Sequence, residues 1–316
     1  IEVPLRLVRA RARHKPDIFI VGFRADELFW LIYPAMIGRQ IIFDEFINIH
    51  DWFIAEHRKF KDNTIRAKLL DSYMYWIMSR CRYILTDTKA HAELAAKVYN
   101  IPNSKFKAIP VATDENIFYP HVSGKKLKRF EIFFSGSMLP LHGLGIILKG
   151  LKPILDSNEN VHLTLVGGRG KPVTLDKIKA YIKNNNYKHK VSHLSWVKYV
   201  DLPNYIARAD LCLGGPFGAT GQAGRVISGK TFQTLAMGKA TVVGDNPAHQ
   251  FFVDKKNCLI VKQGSPINFT EVIKWAINNR GKLDSIGSAG QKLYSERYSI
   301  NAVAKELREI FDEIQY

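Results

Sequence analysis

Short apolar runs bounded by turn residues alternate with longer stretches of helical periodicity along nearly the whole chain. That alternation predicts an α/β fold built on parallel sheets. The basic stretch 5–13 reads as a helix stopped by Pro16, because the residue before a proline is driven out of the helical region. Residues 17–21 (DIFIV) and 40–43 (QIIF) read as buried strands, the second leading into Asp44. Between them, 26–37 has helical periodicity, with Pro34 as a kink or stop and Gly38 as a C-cap. The polar and aromatic stretch 48–62 reads as a loop or short helix. Helices follow at 64–80 and 89–99, the second starting after the turn Thr86-Asp87-Thr88, and strands at 83–86 and 107–111.

A break follows at 120–129 (PHVSGKKLKR), where Pro, Gly and Ser meet a cluster of Lys and Arg. A second series then begins. Its strands are expected at 131–134, 162–166, 191–194, 211–213, 240–243 and 258–261. Helices are expected at 144–155, 175–184, 202–209 and 229–237, and two more, at 269–279 and 301–314, close the chain. The implied division is a first domain over 1–122, a linker over 123–129, a second domain over 130–300 and a final helix over 301–316.

Composition agrees with two ordinary cores. The chain has 316 residues, 46% hydrophobic and 11% aromatic, which excludes global disorder. Its 46 Lys and Arg against 29 Asp and Glu give a formal net charge of +17. Such an excess suits phosphorylated substrates, nucleic acid or an anionic membrane, and equally a plain solvated surface. The basic residues are dispersed and no reader motif is present, so nucleic acid is not an expected partner. The cysteines are Cys81, Cys212 and Cys258, widely spaced and without a secretory signal. They read as small core residues of a cytoplasmic protein. The opening at Ile1, inside what reads as a basic helix, suggests a fragment.

Parallel sheets bind ligands where strands end and loops enter helices. Three loops of the second series meet that criterion. The first is Phe134-Ser135-Gly136-Ser137-Met138-Leu139-Pro140-Leu141-His142-Gly143, in which glycine admits a phosphate close to the backbone and Ser137 and His142 add donors. The helix after it would add its N-terminus. The second, Val166-Gly167-Gly168-Arg169-Gly170-Lys171, offers backbone donors and two cations. The third carries the most signal: Gly214-Gly215-Pro216-Phe217-Gly218 follows a strand, and Arg225-Val226-Ile227-Ser228-Gly229-Lys230 delivers a lysine to the first turn of a helix that Gly238 ends. Lys230 can reach a phosphate from there, and Arg225 can add a bidentate contact. In the first series the candidates are Asp44, at a strand end, and His50, beside Asp51 in the aromatic stretch beyond it. Either could bind an acceptor hydroxyl or a reacting sugar.

Gly229-Lys230-Thr231-Phe232-Gln233-Thr234-Leu235-Ala236-Met237-Gly238-Lys239-Ala240-Thr241 resembles the donor-site helix of glycosyltransferase family four, the group 1 glycosyltransferases. Leu202-Pro203, Ala209-Asp210, Pro247-Ala248, Asp254 and Asn257 fall where that family has similar residues, and 86–120 is similar to the run before its linker. The resemblance implies a GT-B type fold, two Rossmann-like domains with parallel sheets facing across a cleft. The first domain would lack its initial strand and helix, and the last helix would cross back to it. It implies retaining transfer from a nucleotide diphosphate sugar, bound on the second domain, to a glycan, lipid-linked or small-molecule acceptor on the first. No metal or cofactor is implied beyond the donor substrate. Donor-binding residues would be Gly136, Ser137, His142, Gly167, Arg169, Lys230 and Gln233. Catalytic residues would be Asp44, His50 and Arg225. The family's two glutamates are replaced here by Arg225 and Gln233, and Ser137 and His142 stand where it has Arg and Lys. These departures point to an alternative, a non-catalytic relative that binds a nucleotide sugar or a partner glycosyltransferase. Basic stretches at 6–15 and 125–129 would suit peripheral docking on the inner face of an anionic membrane.

Overall fold

The computed structural model of the chain describes residues 2–56, 59, 61, 64–121 and 128–315. Of the linker at 123–129, residues 123–127 lie outside the described residues, as do 57, 58, 60 and 62 of the aromatic stretch. The strands in chain order are β1 (Ile18–Val21), β2 (Gln40–Asp44), β3 (Tyr83–Thr86), β4 (Phe106–Ala108), β5 (Phe130–Gly136), β6 (Val161–Gly167), β7 (Val191–Leu194), β8 (Leu211–Leu213), β9 (Thr241–Gly244) and β10 (Leu259–Val261). The α-helices are α1 (Glu2–His14), α2 (Phe29–Ile32), α3 (Ile65–Ser79), α4 (Lys89–Tyr99), α5 (Leu144–Ser157), α6 (Pro172–Asn184), α7 (Leu202–Arg208), α8 (Gly229–Ala236), α9 (Pro266–Asn278), α10 (Leu283–Arg297) and α11 (Ile300–Gln315). Two compact units divide the chain: Ile1–Pro110 with Glu306–Tyr316, and Val111–Lys305.

The first unit holds a parallel sheet in the order β1-β2-β3-β4. Strand β2 is buried on both faces, as parallel strands are when both sides are covered. Its Ile41 and Phe43 join a core with Phe29, Met74, Ile77 and Tyr99, while Ile42 packs with Tyr83 and with Ile310 of α11. The same stretch of α11 is tied down by Tyr83, whose hydroxyl donates to Glu313 at 2.8 Å. Helices α3 and α4 start where side-chain acceptors cap them: Thr64 takes the N–H of Ala67 and Thr88 that of His91. The helix expected over 26–37 is instead three short turns, 3₁₀ at Ala25–Leu28, α2, and 3₁₀ at Tyr33–Met36. Pro34 has no N–H to continue an α ladder, so the chain restarts at it.

The second unit holds a parallel sheet in the order β10-β9-β8-β5-β6-β7. The chain winds out from β5 to β7, returns to β8 on the other side of β5, and continues to β10, the doubly wound pattern whose ligand crevice opens beyond the strands' carboxyl ends. Leu163, Leu165, Leu211 and Val242 face one core, and Phe133, Cys212 and Val243 the other. Asp210 fastens the far end of the sheet, accepting from Arg280 Nη2 at 2.8 Å and from the N–H of Glu131 at 2.9 Å.

Helix α10 is absent from the sequence-based expectation. Its run Leu283-Asp284-Ser285-Ile286-Gly287-Ser288-Ala289-Gly290 reads as a loop by composition. The glycines are there for contact: a Cβ at Gly287 would stand 2.2 Å from the carbonyl oxygen of Gly238, and one at Gly290 2.7 Å from that of Asn257. Close backbone approach overrides the low helix propensity.

Candidate functional site

In the second unit the ends of β5, β6 and β7 and the start of α8 enclose a cavity of about 600 Å³. It is lined by Gly136, Ser137, His142, Gly167, Arg169, Lys230 and Gln233, all seven residues expected to hold a donor. Glycine is required where β6 ends and is closely fitted where β5 ends. Gly167 has φ +133°, and a Cβ on it would lie 1.9 Å from the carbonyl oxygen of Gly136. A Cβ on Gly136 would crowd His142 Nδ1 at 3.0 Å and Lys230 Cε at 3.2 Å.

Lys230 sits in the first turn of α8 and is 9% exposed. Its ammonium lies 5.4 Å from the centre of the Phe134 ring, and among the described residues no carboxylate pairs with it. Burial pushes its pKa down to about 7. The helix start itself is uncapped: Ser228 turns its hydroxyl to the carbonyl of Gly214 at 2.5 Å instead of to the first-turn amides. Uncapped first-turn amides and a buried cation are what an anion completes.

His142 carries no charge here. Burial, and then the charges of Lys230 and Lys171, push its pKa down to about 2. Its Nδ1 accepts the N–H of Leu139 at 3.3 Å, which leaves the proton on Nε2 as a neutral donor. The first loop does not lead straight into α5, as its sequence suggests. A 3₁₀ turn, Pro140–His142, intervenes, and Gly143 packs so tightly that a Cβ would meet the N of Gly218 at 2.6 Å. Helix α8 therefore supplies the helix N-terminus of this pocket.

Gln233 reaches the pocket one turn after Lys230 and stands within 3.4 Å of the Tyr199 hydroxyl. Arg225 is not brought to the pocket; its guanidinium lies over Gly221, 2.8 Å from where a Cβ would be. Sequence reasoning missed Trp196 and Tyr199, which follow β7 and line the cavity. Trp196 is 54% exposed, with the guanidinium of Arg169 5.1 Å from its ring centre. A large exposed aromatic directly after a strand end was the available signal.

In the first unit Asp44 ends β2 and lines a separate cavity of about 380 Å³ with Asp26, Glu45, Phe23, Phe46 and Trp52. Burial raises the pKa of Asp44, and the neighbouring Asp87 adds to it. Of the two acceptor-side candidates, only Asp44 enters this cavity. His50 is turned away, with Nδ1 2.8 Å from Asp71.

Residues 129–279 match the family profile of the glycosyl transferases group 1. The segment contains every residue lining the Lys230 cavity. No curated protein matches the sequence. Among solved structures, HepE of Anabaena in complex with UDP is 15% identical with a TM-score of 0.77, covering 99% of this chain and 82% of that one. The sucrose-phosphate synthase of Thermosynechococcus elongatus is 13% identical with a TM-score of 0.75, covering 99% and 78%. TarM of S. aureus is 14% identical with a TM-score of 0.72, covering 98% and 58%. At these identities the likeness is one of fold, and the chain has the GT-B type fold that all three share.

Proposed function

We propose that the chain transfers a sugar, with retention of configuration, from a nucleotide diphosphate sugar bound in the Lys230 cavity to a hydroxyl of a glycan, lipid-linked or small-molecule acceptor. The observation that carries this reading is Lys230 itself. A buried ammonium with no carboxylate partner among the described residues, beside a helix start without a side-chain cap and two closely packed glycines, is chemistry suited to an anion. The UDP in the HepE structure supports a uridine nucleotide as the first candidate.

The chemistry then follows from charge. As the bond from the anomeric carbon to the diphosphate breaks, negative charge grows on the leaving oxygen. Lys230, the α8 amides, Ser137 and the Nε2–H of His142 stabilise that charge in place of a metal ion. The acceptor hydroxyl attacks from the face the leaving group departs, and its proton passes to the departing phosphate oxygen. Gln233 offers its carboxamide to a ribose hydroxyl. Trp196, with Arg169 against it, offers a stacking face to the base. Arg225 has no donor contact in this arrangement.

The test is transfer. With UDP-glucose, UDP-N-acetylglucosamine and GDP-mannose as donors, and EDTA present, product with the donor's α configuration is expected by NMR. Product of inverted configuration, or activity only with a divalent ion, would contradict the mechanism. Arg225 and Gln233 in place of two glutamates favour one second reading, binding without transfer. If the chain binds a nucleotide sugar but transfers only after Arg225→Glu and Gln233→Glu are combined, that second reading replaces the first.

A further inference from the structure

The first unit's cavity has a chemistry of its own. It opens at the carboxyl ends of β1 and β2, and its walls are Phe23, Phe46, Trp52, Phe53 and Tyr73. Phe23 and Phe46 meet edge to face, 5.5 Å between centres. Its polar lining is dominated by carboxyl groups. Arg24 is engaged by Glu27, and the Tyr73 hydroxyl donates to the carbonyl of Asp26 at 2.7 Å. That leaves Asp26, Asp44 and Glu45 facing one space, and no asparagine or glutamine side chain lines it.

Among the described residues none of these three carboxyls pairs with a lysine or arginine; the positive groups acting on them are Arg24 on Asp26 and His91 on Asp44 and Glu45. The carboxyl of Asp44, half-buried at the end of the β2 ladder, has no hydrogen bond or ion pair to any described residue. Glu45 is 2% exposed; one carboxyl oxygen accepts from Asn48 Nδ2 at 3.0 Å, while the other has no hydrogen-bond partner. The nearest positive group behind Glu45 is His91, whose Nε2 is 3.9 Å away, too far to bond, and whose Nδ1 is held by Asp87 at 2.7 Å. Burial raises all three carboxyls, Glu45 to about 8, so at neutral pH Glu45 is mostly a neutral acid and the negative charge facing the hollow is that of Asp26 and Asp44. In a chain of net charge +17 this is a concentrated acidic hollow.

Aromatic faces attract cations through their quadrupole, and carboxylates in a low-dielectric hollow strengthen that attraction. A neutral sugar would find acceptors here but few donors. We infer that the cavity at the ends of β1 and β2 binds a protonated amine, carried by a small molecule or by an amino sugar. The ligand class stands on the first unit alone. Only its identification with the acceptor of sugar transfer rests on the reading above.

The experiment compares glucosamine with glucose and N-acetylglucosamine, which share its ring but lack its charge. Binding to the whole chain is followed by calorimetry and by tryptophan fluorescence, since Trp52 lines the cavity. Glucosamine is expected to bind about tenfold or more tighter than either neutral sugar, because charge-assisted bonds are about twice as strong as neutral ones. Asp44→Asn should erase that preference, and Trp52→Phe should remove the fluorescence response while binding persists. Asp44 is the variant of choice because its carboxyl bonds to no described neighbour, and an unchanged unfolding midpoint confirms its fold. Equal binding of all three, preference for a neutral sugar, or no binding by any overturns the inference. None of these results touches nucleotide binding, which is measured separately with UDP.

Discussion

The two units place a cavity in the same position, beyond the carboxyl ends of parallel strands, and fill it with opposite chemistry. In the second unit glycines bring two strand ends together, and a buried ammonium stands over them. In the first, bulky aromatics line the space and carboxyls face it. The contrast teaches that the sheet decides where a ligand can sit, while the loops decide its charge. A +17 chain therefore says little about either pocket taken alone.

The largest difference expected between them is steric. Gly167→Ala forces a Cβ to 1.9 Å from a carbonyl oxygen at φ +133°, whereas a Cβ on Gly22, after β1, meets nothing within 4 Å. Urea unfolding should show a loss of about 3 kcal/mol or more for Gly167→Ala and under about 0.5 kcal/mol for Gly22→Ala. Equal losses would mean the tight approach of β5 and β6 is not real.

Next is the charge. Lys230→Met should weaken nucleotide binding about 100-fold, since a lost charge-assisted bond is worth about 1.5–3 kcal/mol. Asp44→Asn should leave nucleotide binding unchanged. The same Lys230→Met change should stabilise the empty protein. A lysine at about 7 when folded and 10.5 as its ordinary value binds fewer protons folded than unfolded across that range. Wild-type stability should then rise with pH from about 7 upward, and be lowest below it. At pH 6 the variant should gain about 2–4 kcal/mol.

A smaller effect sharpens the assignment of that proton. A bound diphosphate holds Lys230 charged, so donor affinity is full below pH 7 and falls as pH rises, by up to about tenfold per unit. Lys230→Arg should flatten the profile between pH 7 and 8.5, because a guanidinium stays charged. An unchanged slope in that variant would assign the proton elsewhere. The smallest effect is expected from Gln233→Glu. A carboxylate accepts a ribose hydroxyl more strongly than a carboxamide, and affinity should improve about 2–5-fold.

Much of this was legible in the sequence, for identifiable reasons. Strands β3, β7 and β8 fall where the apolar runs placed them, since buried parallel strands are continuous apolar segments between turn signals. The seven pocket residues converge because glycine-rich strand ends and the Lys230 turn are local features that topology brings to one edge. Helix α10 was not legible, because its glycines answer to the backbones of Gly238 and Asn257, far away in sequence. The place of Arg225, outside the cavity lining, was not legible for a similar reason: its spacing from Lys230 said nothing of the turn Gln222–Gly224 that directs it over Gly221. Glu45 gave no signal at all, being one more acidic residue after Asp44 until burial sets it apart.

The most direct test is calorimetric titration of UDP, GDP, ADP and TDP into the wild-type chain and into Lys230→Met at pH 7. One nucleotide should bind the wild type at a single site and lose about 100-fold in the variant. Binding of none of them, or equal binding to both proteins, would contradict the claim that the Lys230 cavity is built for a diphosphate.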